Sequence, residues 1–139
     1  MLVQFSIPVR NARADAFESV IGASALIKIF GDDGSGIPAN CAAADDSATV
    51  LATVTCPADW MDDAAAGAIA KLGTWQDASA DASGTADHWR LYESTGTTCH
   101  GQGDITNQAG TGSMKVVDTS FTATLPFTIL TFGWTEGNA

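Results

Sequence analysis

Short runs rich in β-branched and aromatic residues, each closed by a cluster of Gly, Ser, Asp or Pro, recur along this chain from Ala25 to Trp134. That punctuation constrains the fold more than any other feature. Residues of this kind suit a pleated, half-buried surface, and turn clusters at this spacing leave little room for crossover helices. Residues 25–30 read as a strand ending in the 31–36 turn, and 47–56, with Val50, Leu51 and Val54, as another that ends at Pro57. Residues 71–78 break into the Ser/Asp/Gly-rich turn 79–85, while 88–93 alternate and lead through 94–96 into 98–103 as a hairpin. The last pair is 113–118 and 121–134. Pro126 withholds a backbone donor, so that final strand is bent, bulged or at a sheet edge. Roughly six to eight such strands favour a mainly β fold, an antiparallel two-layer β-sandwich of which the jelly roll is one form, over a parallel α/β arrangement.

One helical pattern precedes the strands. Val9, Ala12 or Arg13, Ala16 or Phe17, and Val20 or Ile21 recur at helical spacing between 7 and 22, and Gly22 stands as a C-terminal stop. The apolar stripe is narrow, which suits a short N-terminal helix laid over an edge or face of a sheet. Between 57 and 73, Trp60, Met61 and an alanine run fit one or two helical turns, or equally a loop whose Trp60 and Met61 plug the core.

At 139 residues, 45% hydrophobic and 16% charged, the chain is sized and composed as one folded domain, 1–139, that needs no metal or disulfide as a staple. Six basic against sixteen acidic residues give a formal net charge of −10, so the average surface repels phosphate backbones and anionic membranes. Nucleic acid and membrane are therefore not expected partners. The N-terminus lacks the basic start and long apolar run of a signal peptide, which points to synthesis in a cytoplasm without an export leader. Cys41, Cys56 and Cys99 cannot all pair within one chain and show no CxxC spacing. They read as small buried hydrophobes, with a Cys41–Cys56 disulfide left open as the alternative.

No catalytic, cofactor or metal site emerges from the motifs. His88 and His100 sit in no metal or nucleophile spacing, and neighbours such as Cys99 and His100 point to opposite faces of a strand. Asp32 and Asp33, in the 31–36 turn, lack the alternating aspartates and downstream Glu of a calcium loop. Asp59, Asp62 and Asp63 read as a solvated face, and Trp60, Trp75, Trp89 and Trp134 as core or interface anchors. The glycines of 101–103 and 110–112 read as hairpin turns, since neither group opens a helix after a strand.

The blocks 3–6, 10–15, 38–44, 57–61, 73–86, 89–92 and 98–100 together resemble small virion-associated proteins encoded in tailed phages and prophages of proteobacteria. The acidic 31–36 turn and the acidic surplus depart from that pattern. The resemblance spans most of the chain and implies a virion structural protein, foremost a capsid cement or decoration protein. Such proteins usually sit on the major capsid protein as trimers at local three-fold axes or as copies bridging neighbouring capsomers, with a homo-oligomer, foremost a trimer, expected here, and are assembled in the host cytoplasm. It brings no catalytic residues and no cofactor. A tail, connector or fibre-associated component is the alternative within the virion. A carbohydrate-binding host-attachment module is the alternative of another class, and an enzyme comes last. Leu2, Val3, Phe5 and Ile7 exceed the apolar content expected of a free terminus. Segment 1–10 is therefore expected to be an extended arm against another virion subunit, or else a strand of the domain's own sheet.

Overall fold

Pro8 near its start and Gly22 past its end bound the helix that the spacing predicts. The computed structural model describes residues 3–44 and 47–137. Helix α1 spans Ile7–Ile21, and its first turn closes with the Arg10 amide on the Ser6 carbonyl at 3.0 Å. Gly22 ends it at φ 88°, with its N–H on the Glu18 carbonyl. Proline is tolerated in a first helical turn because the N–H it lacks has no intrahelical partner there.

Nine strands follow among the described residues: β1 Leu26–Gly31, β2 Val50–Thr55, β3 Ala68–Ala70, β4 Trp75–Asp77, β5 Gly84–Tyr92, β6 Cys99–Asn107, β7 Met114–Val116, β8 Ser120–Phe121 and β9 Phe127–Thr135. The expectation of a mainly β chain with one short N-terminal helix holds. The path runs β2-β1-β5-β6-β7-β9-β3, with β4 also on β9 and β8 also on β5. The antiparallel two-layer sandwich needs correction, because the pairings make one continuous sheet and β6 and β7 run parallel. The cause lies in the turn between them. The Gly112 amide bonds the Thr106 hydroxyl at 3.1 Å and the Ser113 amide bonds the Asp104 carboxylate at 3.0 Å, so the chain doubles back over the end of β6 before β7 begins.

The sheet curls into a half-barrel whose two ends approach each other. Asp77, on β4, accepts the Thr53 amide of β2 at 3.0 Å, and the Asp81 amide reaches the Leu51 carbonyl at 2.8 Å. Ile27, Ile29, Trp75, Leu91, Met114 and Ile129 fill the concave side. Segment 57–67 forms no helix. It is the loop of the second reading, with Trp60 and Met61 driven into the core. The run 121–134 is broken, not bent: β8 ends at Phe121 and β9 begins at Phe127, directly after Pro126.

The described part of the N-terminal segment also departs from expectation. Residues 3–6 are extended but join no strand, and Ile7 to Arg10 already belong to α1. Leu2 lies outside the described residues.

The tightest backbone crossing is at Gly133, opposite Ala70 on β3. A Cβ placed there would meet the Ile69 carbonyl oxygen at 2.3 Å, and the backbone must shift to admit it. Gly133→Ala should lower unfolding free energy by about 1–3 kcal/mol in urea titration. Gly137→Ala, in open space, should leave it unchanged. Equal stability of the two variants would show that β3 does not pair as described.

Candidate functional site

Helix α1 meets the rest of the fold through a mixture of apolar and polar side chains. Its inward side carries Asn11, Asp15 and Glu18 beside the buried Ala14 and Ile21, and these polar groups hold the irregular segment behind them. The Glu18 carboxylate accepts the amides of Trp60 at 2.6 Å and Met61 at 3.2 Å. Asp15 accepts the Ala64 amide and Asn11 the Gly67 amide, each at 2.7 Å. Arg10 donates from Nε to the Glu136 carbonyl at 2.7 Å, and Arg13 pairs with the Glu136 carboxylate at 3.2 Å. Loop amides taken from water need acceptors, and the helix supplies them.

The apolar positions of the helix are split between two sides: Phe17 and Ile21 pack on the core, as expected of a helix that covers the sheet, while the others face outward. Val9, Ala12, Ala16 and Val20 are exposed, Val20 at 74%. Of the expected interface residues, Val3, Phe5 and Ile7 are exposed and lead into this stripe, with the Arg13 guanidinium 5.1 Å from the Phe5 ring centre. A groove of about 310 Å³ between Ala16, Phe17, Val20, His100 and Trp134 extends it toward β9.

A second surface lies on the outer face of β1, β5 and β6. Cross-strand rows place Lys28 beside Arg90 and Gln102, Phe30 beside His88 and Asp104, and Leu26 beside Tyr92 and Cys99. The excursion between β1 and β2 folds over this face. Arg90, 3% exposed, donates from Nη2 to the carbonyls of Cys41 at 2.9 Å and Ala43 at 2.8 Å, and Gln102 donates to the Pro38 carbonyl at 2.5 Å. A cavity of about 370 Å³ remains beneath the cover, lined by Lys28, Cys41, Arg90, Tyr92 and Cys99. Arg90 and Gln102 are structural anchors that sequence reasoning missed. In an alternating strand, Arg90 reads as a solvent position, and only the later burial of that face gives it a task.

The residues flagged in the sequence are dispersed. His88 is buried, 2.8 Å from the Asp87 carboxylate and stacked on Phe30, whereas His100 lies 3.6 Å from Glu93. Cys99 lines the covered cavity while His100 lines the helix groove, as alternation along a strand requires. Asp32 and Asp33 accept the Gly34 and Ser35 amides in local turns, and Asp59, Asp62 and Asp63 are exposed. Trp60, Trp75 and Trp89 are buried, and Trp134 packs edge-on against Phe17 and Phe132. Among the described residues no three His, Cys, Asp or Glu side chains converge as metal ligands. The Cys41–Cys56 disulfide is not formed: both are free, because Cys56 sits inside the core and Cys41 on the outer face. Also among the described residues, no helix is long and apolar enough to cross a membrane.

Comparison of the chain with models of protein families, with curated proteins and with solved structures found no match.

Two outcomes follow from these contacts. Glu18→Ala strands two amides that the carboxylate holds, so unfolding free energy should fall by about 2–4 kcal/mol. A loss below roughly 0.5 kcal/mol, the usual size of a neutral surface change, would mean that the clamp is not formed in solution. At the other end of the sheet, the Glu93 carboxyl is held down to about 2, first by the Thr95 hydroxyl and then by the Thr97 and Thr98 amides. Its folded pKa lies below the ordinary ~4.3, so the folded chain binds that proton more weakly and acid favours opening of the turn. Support for 93–98 is complete above about pH 4.5 and is lost as pH falls through about 2. The Thr97 and Thr98 amide resonances should titrate with that low midpoint and go flat in Glu93→Gln. A midpoint at the ordinary glutamate value would remove the contact.

Proposed function

We propose that this chain is a bacteriophage virion structural protein, foremost a capsid cement or decoration protein that bridges neighbouring capsid subunits. The observation that carries the reading is the outward apolar stripe of α1, continued by Val3, Phe5 and Ile7. Full burial of a valine or isoleucine contributes roughly 1.5–3 kcal/mol, and a helix already anchored by Ala14, Phe17, Ile21 and its polar contacts gains nothing inside its own fold by displaying more of them. A face of this kind fits a groove on another virion protein. The occupant is the major capsid protein, and copies sit as a homo-oligomer, with a trimer favoured by the symmetry of capsid lattices. Contacts of modest strength are enough, since a copy that touches several subunits gains from multivalency.

Val9→Asp combined with Val20→Asp tests this. Both positions are exposed, so the thermal midpoint should stay within a few degrees of the parent, whereas incorporation into virions should fall at least roughly tenfold, the equivalent of about 1.4 kcal/mol. Deleting residues 1–7 should weaken incorporation in the same direction. Particles that incorporate both variants at parental levels would overturn the reading. Cryo-electron microscopy locates the chain: occupancy across the capsid lattice supports cement, and copies confined to the tail move the assignment to a tail component.

A further inference from the structure

Cys41 and Cys99, far apart in sequence, meet over the outer face of the sheet. Cys41 rides on the excursion between β1 and β2, and its own carbonyl is fixed by Arg90 at 2.9 Å. Cys99 opens β6, opposite Tyr92, and its thiol lies 3.3 Å from the Gly101 carbonyl. Both line the cavity of about 370 Å³. The two side chains share the wall of one cavity and are partly exposed, so a small reagent can reach them. Cys56 is different: it is buried in the core, and burial pushes its thiol up to about 12, so it serves as an internal control.

We propose that Cys41 and Cys99 are a dithiol modification site that closes to a disulfide by exchange with a small-molecule disulfide such as oxidised glutathione. Two exchanges balance the reaction. The Cys99 thiolate attacks one sulfur of glutathione disulfide; a protein–glutathione S–S bond forms, the glutathione S–S bond breaks, and one glutathione thiolate leaves. The Cys41 thiolate then attacks the Cys99 sulfur, forming the Cys41–Cys99 bond and expelling the second glutathione. Two protein thiols are oxidised, one glutathione disulfide is reduced to two thiols, and the two protein protons pass to the departing thiolates. Burial raises the Cys41 thiol above its ordinary value, with the Cys99 contact adding to it, so closure should accelerate as pH rises above neutral. The product ties the excursion, now held at its middle by Arg90 and Gln102, covalently to β6. The cover over the outer face then cannot lift without breaking the sheet edge.

The test uses the full folded chain, treated with oxidised glutathione, quenched with acid, and digested at aspartates. The sequence has aspartates at 45 and 46, between Cys41 and Cys56, so the two fall in separate peptides. The expected result is a mass lower by two hydrogens, one remaining thiol, a linked peptide joining Cys41 to Cys99, and a thermal midpoint that rises and returns on reduction. In Cys99→Ser the same treatment should leave Cys41 unlinked while Cys56 stays free. Glutathione adducts that persist on Cys41 and Cys99, a link through Cys56, dimers joined between chains, or three unreacted thiols would each overturn the proposal.

Discussion

The structure depends on how it satisfies the backbone of its irregular segments. Loop 57–67 carries Trp60 and Met61 into the centre of the core, which strips water from amides that no strand can pair. Glu18, Asp15 and Asn11 accept the amides of Trp60, Met61, Ala64 and Gly67, so the helix acts as a row of acceptors laid beside the loop. The price of a buried irregular loop is thus a helix whose inward side is shared between Asn11, Asp15 and Glu18 and the apolar Ala14, Phe17 and Ile21, which leaves the remaining apolar residues exposed.

The outer face repeats the principle with the signs exchanged. There the excursion between β1 and β2 presents carbonyls, and the Arg90 guanidinium, fixed in the middle of β5, supplies the donors. Arg90 Nε and Gln102 Oε1 are buried without a partner, and the two residues are directly opposed across β5 and β6. The cover is held by polar contacts, in contrast to the interlocked Trp60, Trp75 and Phe132 rings on the concave side.

Much of this was legible in the residues and some was not, for physical reasons that differ by element. Helical spacing and Gly22 placed α1 almost to the residue, and the stretches containing β1, β2, β5 and β6 follow from β-branched runs closed by turn clusters. Periodicity, however, reports only that a stripe exists. Which of the apolar positions of α1 turn inward depends also on the amides of residues 60–67, a tertiary demand absent from the helix's own sequence. β3, an Ala-Ile-Ala run, carries almost no strand signal and exists because Gly133 lets another backbone approach it. The parallel β6–β7 pair depends on Thr106 and Asp104 accepting amides of the turn beyond them, which spacing alone cannot express. Arg90 and Gln102 read as solvent positions because alternation assumes one open face, and here the excursion between β1 and β2 covers part of that face as well.

Charge and apolar surface are distributed so that they do not interfere. The chain carries a formal net charge of −10, yet two carboxylates of α1, Asp15 and Glu18, are turned inward onto amides, and Glu136 is paired with Arg13. The outward side of the helix is left with valines, alanines and isoleucine, without an uncompensated acid among them. Desolvating such a face exposes the contact to no unpaired carboxylate, the usual penalty when an acidic protein docks. The remaining acids act at longer range. Within about 8–10 Å in physiological salt they attract basic surfaces and discourage close approach of unrelated acidic chains. In the docking proposed above, orientation would fall to these acids and residence to the exposed apolar residues, and the polar clamp on loop 57–67 is what keeps the two apart.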